Sequence, residues 1–312
     1  MHGHGSSRFT GAVTIALEQP TVDSLAAVGE VLAGWQGDRW EGQLHPGDLG
    51  WRSMVGARRT AESVRLWTRD AAPIAIGMLD GSDLLRMAFA PGAREDGELA
   101  EHIADDLADA TRGVLPSGPA IVEARGAVAL DRTLRREGWE ADEPWTPLTM
   151  DQSTRLNTRR LDSSDLHVRA AGLDDVDDWI SVHWSAFKGT VLDEESRAGF
   201  RDRVLTMVMG PFATMARLLI GYNPEGAPAA VMGVWSLGPG RPGLVEPMGV
   251  HQEHRGRGYG IAITLAGALA LRAEGASSVV LAAENSNAGA MATYRAAGFR
   301  AGVAVQDLAR AK

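Results

Sequence analysis

A glycine-rich turn near the carboxyl end of the chain holds the residues best suited to bind a ligand. Residues 255–260 read RGRGYG, and an apolar, alanine-rich stretch follows at once. Where a strand runs into such a turn and then into a helix, the first backbone N–H groups of the helix stay free at the positive end of its dipole. A Cβ at Gly256, Gly258 or Gly260 would hold an anion away from those amides or forbid the backbone angles. The turn therefore predicts a pyrophosphate site, to which Arg255 and Arg257 add positive charge.

A second segment follows the first along the chain. Behind a predicted strand over residues 278–283, Asn287, Ala290 and Tyr294 recur at a spacing that places them on one face of a helix. Gly298 is the residue type that ends such a helix. The spacing thus predicts a helix that presents Asn287 and Tyr294 on the same side.

Together, in their order and separation, the two segments resemble the GNAT superfamily of acyl-CoA-dependent N-acyltransferases. The resemblance implies that the turn holds the pyrophosphate of coenzyme A, that acetyl-CoA is the cosubstrate, and that Tyr294 lies beside the thioester sulfur. The alternative is an α/β domain in which the glycines only end strands. The residues that the resemblance assigns to the cosubstrate are Met248, Val250, Arg255, Gly256, Arg257, Gly258, Tyr259, Gly260 and Asn287.

The acceptor nitrogen must be neutral before it can attack a thioester. An alkylammonium with a pKa of about 10.4 loses its proton at a cost of roughly 4 to 5 kcal/mol at pH 7, so a base is expected near the acceptor. Glu246 lies on the predicted strand over residues 243–250, where GNAT enzymes often keep a glutamate that acts through water. The alternative is an acid that only pairs with an arginine or faces solvent. Pro247 cannot donate to a sheet ladder, which suggests splayed strands and free amides at Met248 and Val250.

At the leaving side a thiolate must be stabilised or protonated, and the resemblance assigns this role to Tyr294. Proton transfer from a phenol of pKa about 10 to a thiolate whose acid has a pKa of about 8.5 runs uphill, so Tyr294 could equally only donate a hydrogen bond. A core tyrosine on an amphipathic helix is the alternative interpretation. Asn287 could likewise be no more than a helix cap.

The sequence gives the least information about the pocket that would bind the acceptor. In GNAT folds the first two helices and their loop shape it, which here points to Trp179, His183, Trp184 and Phe187. Residues at this helical spacing more often belong to a core. His183 is a weaker candidate for the base.

Composition limits the class of protein. The net charge of −9 and the lack of a basic block argue against nucleic acid as the main partner and mildly favour cationic substrates such as amines. Cysteine is absent, which excludes disulfides, thiolate metal sites and an acyl-cysteine intermediate. No metal site is expected, including at His2 and His4. Without an apolar run of about 18 residues or a signal-peptide pattern, we expect no membrane partner and a cytoplasmic location.

The chain also contains a diverged internal repeat. Shifted by 160 residues, eight scattered positions are identical, from Leu84 against Leu244 to Gly138 against Gly298, and both halves share one order of predicted strands and helices. The predicted fold class is α/β (α+β), with two tandem GNAT-like domains, each a mixed, mostly antiparallel sheet flanked by helices. The predicted boundaries are 1–7 for a disordered start, 8–150 for the first domain, 151–165 for a linker and 166–312 for the second domain. Such a tandem resembles the mycothiol synthase type of acetyltransferase in its architecture.

The first copy lacks the residues that carry the chemistry of the second. Glu95, Asp96, Glu98 and Ala100 stand opposite Arg255, Gly256, Gly258 and Gly260, and three carboxylates would repel a pyrophosphate. Leu134 stands opposite Tyr294, Ala127 opposite Asn287 and Arg86 opposite Glu246. We therefore expect the first domain to be a scaffold or a wall of the substrate cleft.

The sequence favours an N-acetyltransferase that moves an acetyl group from acetyl-CoA to a primary amine of a small molecule by direct attack in a ternary complex. Two other classes remain. An acyl-CoA-binding sensor without turnover would not need Tyr294 and Glu246. A nucleotide-binding protein of another α/β fold is disfavoured by the downstream tyrosine and by the lack of a lysine in the turn. The oligomeric state is not indicated.

Overall fold

A computed structural model describes residues 14–311, so the predicted disordered start at 1–7 lies outside the described residues. From residue 14 onwards, the first half contains six strands and five α-helices. The strands are β1 (Ile15–Glu18), β2 (Val64–Arg69), β3 (Ala72–Leu79), β4 (Leu84–Phe89), β5 (Ala120–Glu123) and β6 (Glu140–Asp151). The helices are α1 (Leu25–Gly34), α2 (Pro46–Arg52), α3 (Ala57–Ser63), α4 (Gly97–Ala108) and α5 (Val128–Arg136).

The second half repeats this order. Its helices are α6 (Arg159–Asp162), α7 (Val176–Phe187), α8 (Glu194–Val208), α9 (Tyr259–Ala273) and α10 (Ala288–Ala297). Its strands are β7 (His167–Ala170), β8 (Ala216–Tyr222), β9 (Pro228–Trp235), β10 (Gly243–Val250), β11 (Ser278–Glu284), β12 (Arg300–Ala301) and β13 (Val305–Arg310). The last two strands, β12 and β13, are separated by only three residues. The predicted linker contains α6, which packs against α9.

All of these strands belong to one 13-stranded sheet. Its order is β1-β2-β3-β4-β5-β13-β6-β11-β10-β9-β8-β7, with β12 paired to β6. Only β4 with β5 and β10 with β11 pair in parallel, and every other pairing is antiparallel. The predicted class of mixed, mostly antiparallel sheets flanked by helices is confirmed.

The two halves exchange their last strands at the centre of this sheet. β6, from the first half, pairs along its length with β11 of the second half, from Ser278 opposite Asp151 to Glu284 opposite Trp145. β13, from the end of the chain, pairs with β5 of the first half. A boundary near residue 150 therefore divides the halves along the chain but does not divide the sheet.

A shared core ties the halves together. One hydrophobic cluster combines buried side chains of α1 and α2 with those of α7, α8 and β9, and it includes Leu32, Leu49, Trp179, Val204 and Trp235. α2 lies so close to Trp235 that a Cβ at Gly47 would stand 2.6 Å from the ring. Burial of this kind favours fixed packing over a swinging first half. Each half also has a core of its own, on the opposite face of the sheet.

Candidate functional site

The strands β10 and β11 separate where the motif residues begin. They pair only at Gly243 with Val279 and at Leu244 with Val280, although both strands continue beyond these pairs. The pairing of β10 with β9 is irregular between Val245 and Met248. Pro247 lies in this irregular stretch and cannot donate to a ladder. An opening between the two strands results, as the sequence predicted.

The amides at the end of β10 face this opening. The His251 N–H donates to the carbonyl oxygen of Ala229 on the β9 side at 2.9 Å. Donors alternate in direction along an antiparallel strand, so the amides of Gly249 and His251 point to β9 and those of Met248 and Val250 point away from it. Two backbone donors are thereby directed to the gap.

The turn between β10 and α9 has the conformation that its glycines permit. Gly256 has φ of +78° and Gly258 of +83°, in the left-handed region that a β-carbon disfavours. Gly258 is the N-cap of α9, which leaves the first amides of a 15-residue helix open. The Arg255 Nη2 donates to the carbonyl oxygen of Ala186 on α7 at 3.0 Å, which holds the turn against α7. The turn is therefore a concave stretch of backbone, and its free N–H groups and Arg255 make it electropositive.

A groove of about 800 Å³ runs along the turn and the opening. Most of the predicted cosubstrate residues line it, namely Met248, Val250, Arg255, Gly256, Gly258, Tyr259, Gly260 and Asn287. Arg257 is exposed and does not line the groove. Tyr259 is 1% exposed, so its side chain belongs to the core of the second half. Asn287 caps α10, with its Oδ1 accepting from the Ala290 N–H at 3.0 Å.

Arg160 on α6 also lines this groove, and the sequence analysis missed it. It lies in the segment predicted as a linker, where nothing in the sequence distinguishes it from the other two arginines, Arg155 and Arg159. The packing of α6 against α9 brings it to the groove.

Glu246 lies beside charged residues of the first half. Its Oε1 is 3.9 Å from the Arg86 Nη1, and its side chain is 29% exposed. Asp48 lies 3.0 Å from the same Arg86 nitrogen, and Asp80 lies 3.9 Å from it. Position 86 is the repeat counterpart of position 246, so the packing of the halves places the two equivalent positions against one another.

Of the two neighbouring carboxyl groups in this cluster, Glu246 has the higher pKa. Burial and the negative charge of Asp48 raise the pKa of Glu246 well above its usual value, and Arg86 only partly opposes them. Burial acts to raise the pKa of Asp48, but the Arg86 charge and a hydrogen bond from Glu246 hold this pKa below its usual value. The closer contact of Asp48 with Arg86, and the His45 N–H donating to its Oδ2 at 2.6 Å, favour this division.

The cluster continues through the interior to the exchanged strand β13. Arg86 Nε donates to Glu123 at 3.0 Å, and Glu123 lies 3.5 Å from Arg125. Arg125 in turn makes two bonds of 2.7 and 2.8 Å to Asp307 on β13. The side chains of Arg125 and Asp307 are 1% and 4% exposed. A fully formed ion network of this kind fixes the relative position of the halves at the site.

Tyr294 lies close enough to feel the charge of Glu246. Its side chain is 8% exposed, and its ring packs edge-on against Phe299 at 5.7 Å. Burial first, and the Glu246 charge second, raise its pKa above the ordinary value. The phenol is therefore a neutral hydrogen-bond donor at every physiological pH.

A second cavity, of about 390 Å³, lies between the halves. His183, Trp184 and Phe187 line it, as do Glu246 and Pro247. Trp179 is fully buried behind them and belongs to the shared core, as its helical spacing allowed. The His183 ring stacks on Trp179 at 5.2 Å. Burial, with the charges of Lys188 and Arg203, lowers the pKa of His183 to about 4, so this imidazole is neutral at pH 7.

The first half contributes a whole wall of this cavity. Its residues there are Trp51, Arg52, Met54, Val55 and Asp80. The sequence analysis singled out none of these five residues. Arg86 was noticed only as the residue that replaces the glutamate. No local signal could have identified the others, because they reach the cavity through the association of the two halves.

The counterpart of the turn in the first half is filled by its own side chains. The Asp96 Oδ1 caps α4 by accepting from the Leu99 N–H at 3.0 Å, and Asp96 also pairs with Arg69 at 2.7 Å. Glu98 pairs with the same arginine at 3.0 Å. Leu134 is fully buried in the core of the first half. These carboxylates occupy the helix end that an anion would otherwise use.

None of the helices formed by residues 14–311 is long and apolar enough to cross a membrane. Within the same residues, no three histidine or acidic side chains come together as a metal ion would require.

Comparison with known proteins agrees with this geometry. The sequence profile of the Acetyltransferase (GNAT) family matches residues 176–299. Mycothiol acetyltransferase of Clavibacter michiganensis subsp. michiganensis (strain NCPPB 382) is 30% identical over 281 residues, which cover 83% of this chain and 87% of that protein.

Solved structures show the same fold at lower identity. A tandem GNAT protein from the clavulanic acid biosynthesis pathway superimposes with a TM-score of 0.61 at 18% identity, covering 95% of this chain and 98% of that one. A GCN5-related N-acetyltransferase from Sphaerobacter thermophilus gives a TM-score of 0.55 at 16% identity, covering 95% of both chains. The extent of the likeness to the mycothiol acetyltransferase, with a family profile that spans both the turn and Tyr294, shows that the chain belongs to the GNAT family of acetyl-CoA-dependent acetyltransferases.

Proposed function

We propose that the second half transfers an acetyl group from acetyl-CoA to the primary amine of a small molecule, by direct attack within a ternary complex. The observation that carries this proposal is that the groove and the cavity meet. Phe187 lines both of them, and Glu246 and Pro247 lie where β10 opens towards β11. An acyl donor in the groove and an amine in the cavity would then approach one another beside Glu246. The absence of cysteine supports direct attack.

The cosubstrate would be held mainly by backbone groups. The open amides at the start of α9 suit the pyrophosphate, and the amides of Met248 and Val250 suit the carbonyl oxygens of the pantetheine arm. Arg255 adds charge, although one of its nitrogens already bonds Ala186. Asn287 would act mainly by capping α10, which keeps Tyr294 in place.

Glu246 is proposed as the base. Its raised pKa brings a carboxyl group nearer to the range in which it can both accept a proton from an ammonium and release it to solvent. It takes the proton directly or through one water while the nitrogen attacks the thioester carbonyl. Arg86 favours the ionised form of Glu246 and thus limits the rise in its pKa.

Tyr294 is proposed to act at the leaving sulfur. Its raised pKa makes complete transfer of the phenol proton to a thiolate uphill, so its role is a hydrogen bond that stabilises the departing thiolate. The thiolate then takes its proton from solvent.

The base assignment is tested by the Glu246→Gln variant across pH. Because the base matters only while the amine is protonated, we expect the loss in kcat to be about 100-fold at pH 7 and to shrink towards pH 10, where free amine is plentiful. Released thiol measures the rate, and a thermal shift with acetyl-CoA checks that the variant still binds the donor.

A defect of equal size at every pH would reject Glu246 as the base. Donor binding without turnover of any amine in a broad library would favour the sensor over the enzyme. The His183→Asn variant is the matched control for the alternative base, and its pH profile should keep the wild-type shape.

A further inference from the structure

Three cationic side chains line the acceptor cavity without an acidic partner. They are Arg52 at the end of α2, Lys188 just after α7, and Arg203 on α8. Among the residues that the structure describes, no carboxylate lies within ion-pair distance of any of them. Arg203 makes only a cation–π contact with Phe200, at 5.1 Å. The neighbouring Arg201 pairs with Asp177 at 2.5 Å.

Arg52 is the most telling of the three. Its Nε is buried from solvent and has no hydrogen-bond partner among residues 14–311. A buried donor that stays unsatisfied costs free energy, more so when the group is charged. Arg52 therefore lines the cavity with neither a carboxylate nor a complete set of hydrogen-bond partners, and the natural complement of its guanidinium is an anionic group.

The opposite charges of the cavity are separated. Asp80 and Glu246 lie together at the Arg86 side, each 3.9 Å from that guanidinium. Arg203 lies at the His183 side, since its guanidinium stands over Phe200, whose ring is 5.0 Å from that of His183. Lys188 follows Phe187, which packs against His183 at 4.6 Å, and Trp51 packs against the same imidazole at 5.7 Å. Such an arrangement suits a molecule with a cationic end near Arg86, an anionic end near His183 and an apolar part that meets the aromatic rings.

We propose that the acceptor is a primary amine that also carries an anionic group, held by Arg52 and Arg203, with an apolar part between the two. This inference rests on the proposed function in that the amine end is the one acetylated beside Glu246. It narrows the expectation from net charge alone, which favoured simple cationic amines. A carboxylate and a phosphate share the relevant chemistry, since guanidinium groups bind both.

The first test compares acceptors that differ only in the anion. 4-(Aminomethyl)benzoate, 4-(aminomethyl)phenylphosphonate and the neutral 4-(aminomethyl)benzamide have the same ring and amine. We expect kcat/KM to be about 10- to 100-fold higher for the better of the two anionic compounds than for the amide, as for a charge-assisted hydrogen bond in a partly buried site. The ratio of carboxylate to phosphonate identifies the source of the anion. Equal or faster turnover of the amide would reject the proposal.

A binding measurement separates this inference from the proposed function. The same three compounds are titrated by calorimetry into the full chain saturated with coenzyme A. Tighter binding of an anionic compound without any turnover would support the inference and count against the acetyl transfer to amines. Equal binding of all three, or binding of none, would reject the inference whatever the turnover.

Variants assign the anion to its residues. Arg52→Gln and Arg203→Gln should each reduce the preference for the anionic compound about tenfold and leave turnover of the amide within about twofold. Arg52 is half-buried and Arg203 is exposed, so the Arg203→Gln variant still tests the proposal if Arg52→Gln does not fold. Arg132→Gln removes the same charge from an exposed position on α5 and should change neither ratio. A similar loss in all three variants would mean that only the overall charge matters.

Discussion

The turns at the start of α9 and of α4 occupy equivalent places in the two halves and differ in charge. At α9, two glycines with positive φ leave the helix end open and Arg255 stands beside it. At α4, Asp96 caps the helix and pairs with Arg69, so the same helix end is already satisfied. The same architecture is thus open at this helix end in one half and filled in the other, and the difference lies in a few residues of the turn.

The second contrast concerns positions 86 and 246. A glutamate on β10 and an arginine on β4 occupy the same place in the repeat, and the association of the halves brings them to 3.9 Å. The half without the motif residues therefore supplies charge and a wall to the cavity of the other half. A copy without the motif residues can therefore still shape the cavity of the other copy and set the charges beside Glu246.

The largest effect is expected from a substitution in the open turn at the start of α9. Gly258→Val should weaken coenzyme A binding at least about 100-fold, because the side chain strains a residue at φ +83° and fills the space beside the amides. Calorimetry with coenzyme A measures the loss. Gly226→Val is the matched control, since Gly226 has φ of +80° in a turn away from the groove. Glu98→Val, at the counterpart position, should also leave affinity unchanged. Unchanged affinity in folded Gly258→Val would remove the turn from the site.

The next contrast is between Tyr294 and its counterpart Leu134. Tyr294→Phe should lower kcat about 10- to 1,000-fold with little change in acetyl-CoA affinity, as for a hydrogen bond used at thiolate departure. Leu134→Ala should instead cost about 2 to 5 kcal/mol of stability through a cavity in the core of the first half. Denaturant unfolding and steady-state kinetics on both variants separate the two results. Lost turnover in a folded Leu134→Ala protein would show that the first half has chemistry of its own.

A smaller effect is expected at the contact between positions 86 and 246. Arg86 favours ionised Glu246, so removing its charge in Arg86→Met should raise the pKa of Glu246 further and move the acid limb of kcat/KM to higher pH. Asp48→Asn removes the opposing negative charge and should move the limb to lower pH. We expect losses for Arg86→Met of about tenfold at pH 6 and under about twofold at pH 9. Arg86→Lys keeps the charge and controls for packing. If the acid limb of kcat/KM falls at the same pH in all of these variants, the charges of the first half do not affect catalysis.

The smallest effect is expected from a substitution in α6, which lies in the segment predicted to link the halves. Arg160→Ala should raise the KM for acetyl-CoA about 3- to 10-fold without changing kcat, because Arg160 lines the groove and can meet a phosphate of the cosubstrate. Arg159→Ala, its neighbour outside the groove lining, should leave KM unchanged. Equal KM values for the two variants would exclude Arg160 from the cosubstrate site.

The local features were predictable because they depend on neighbours along the chain. A glycine needed at positive φ, an Asn287 cap and the i, i+3, i+7 spacing up to Tyr294 are set within a turn or two of helix. The repeat and the order of strands and helices follow from the same short-range patterns.

What only the tertiary structure decided is the partnership of distant segments. The exchange of β6 and β13 and the approach of Arg86 to Glu246 depend on strand pairing and on burial across more than a hundred residues of chain. The wall formed by Trp51, Arg52 and Asp80 has the same origin. The free energy of such contacts comes from surfaces that meet only after both halves have folded, so no spacing of residues along the chain encodes them in a readable form.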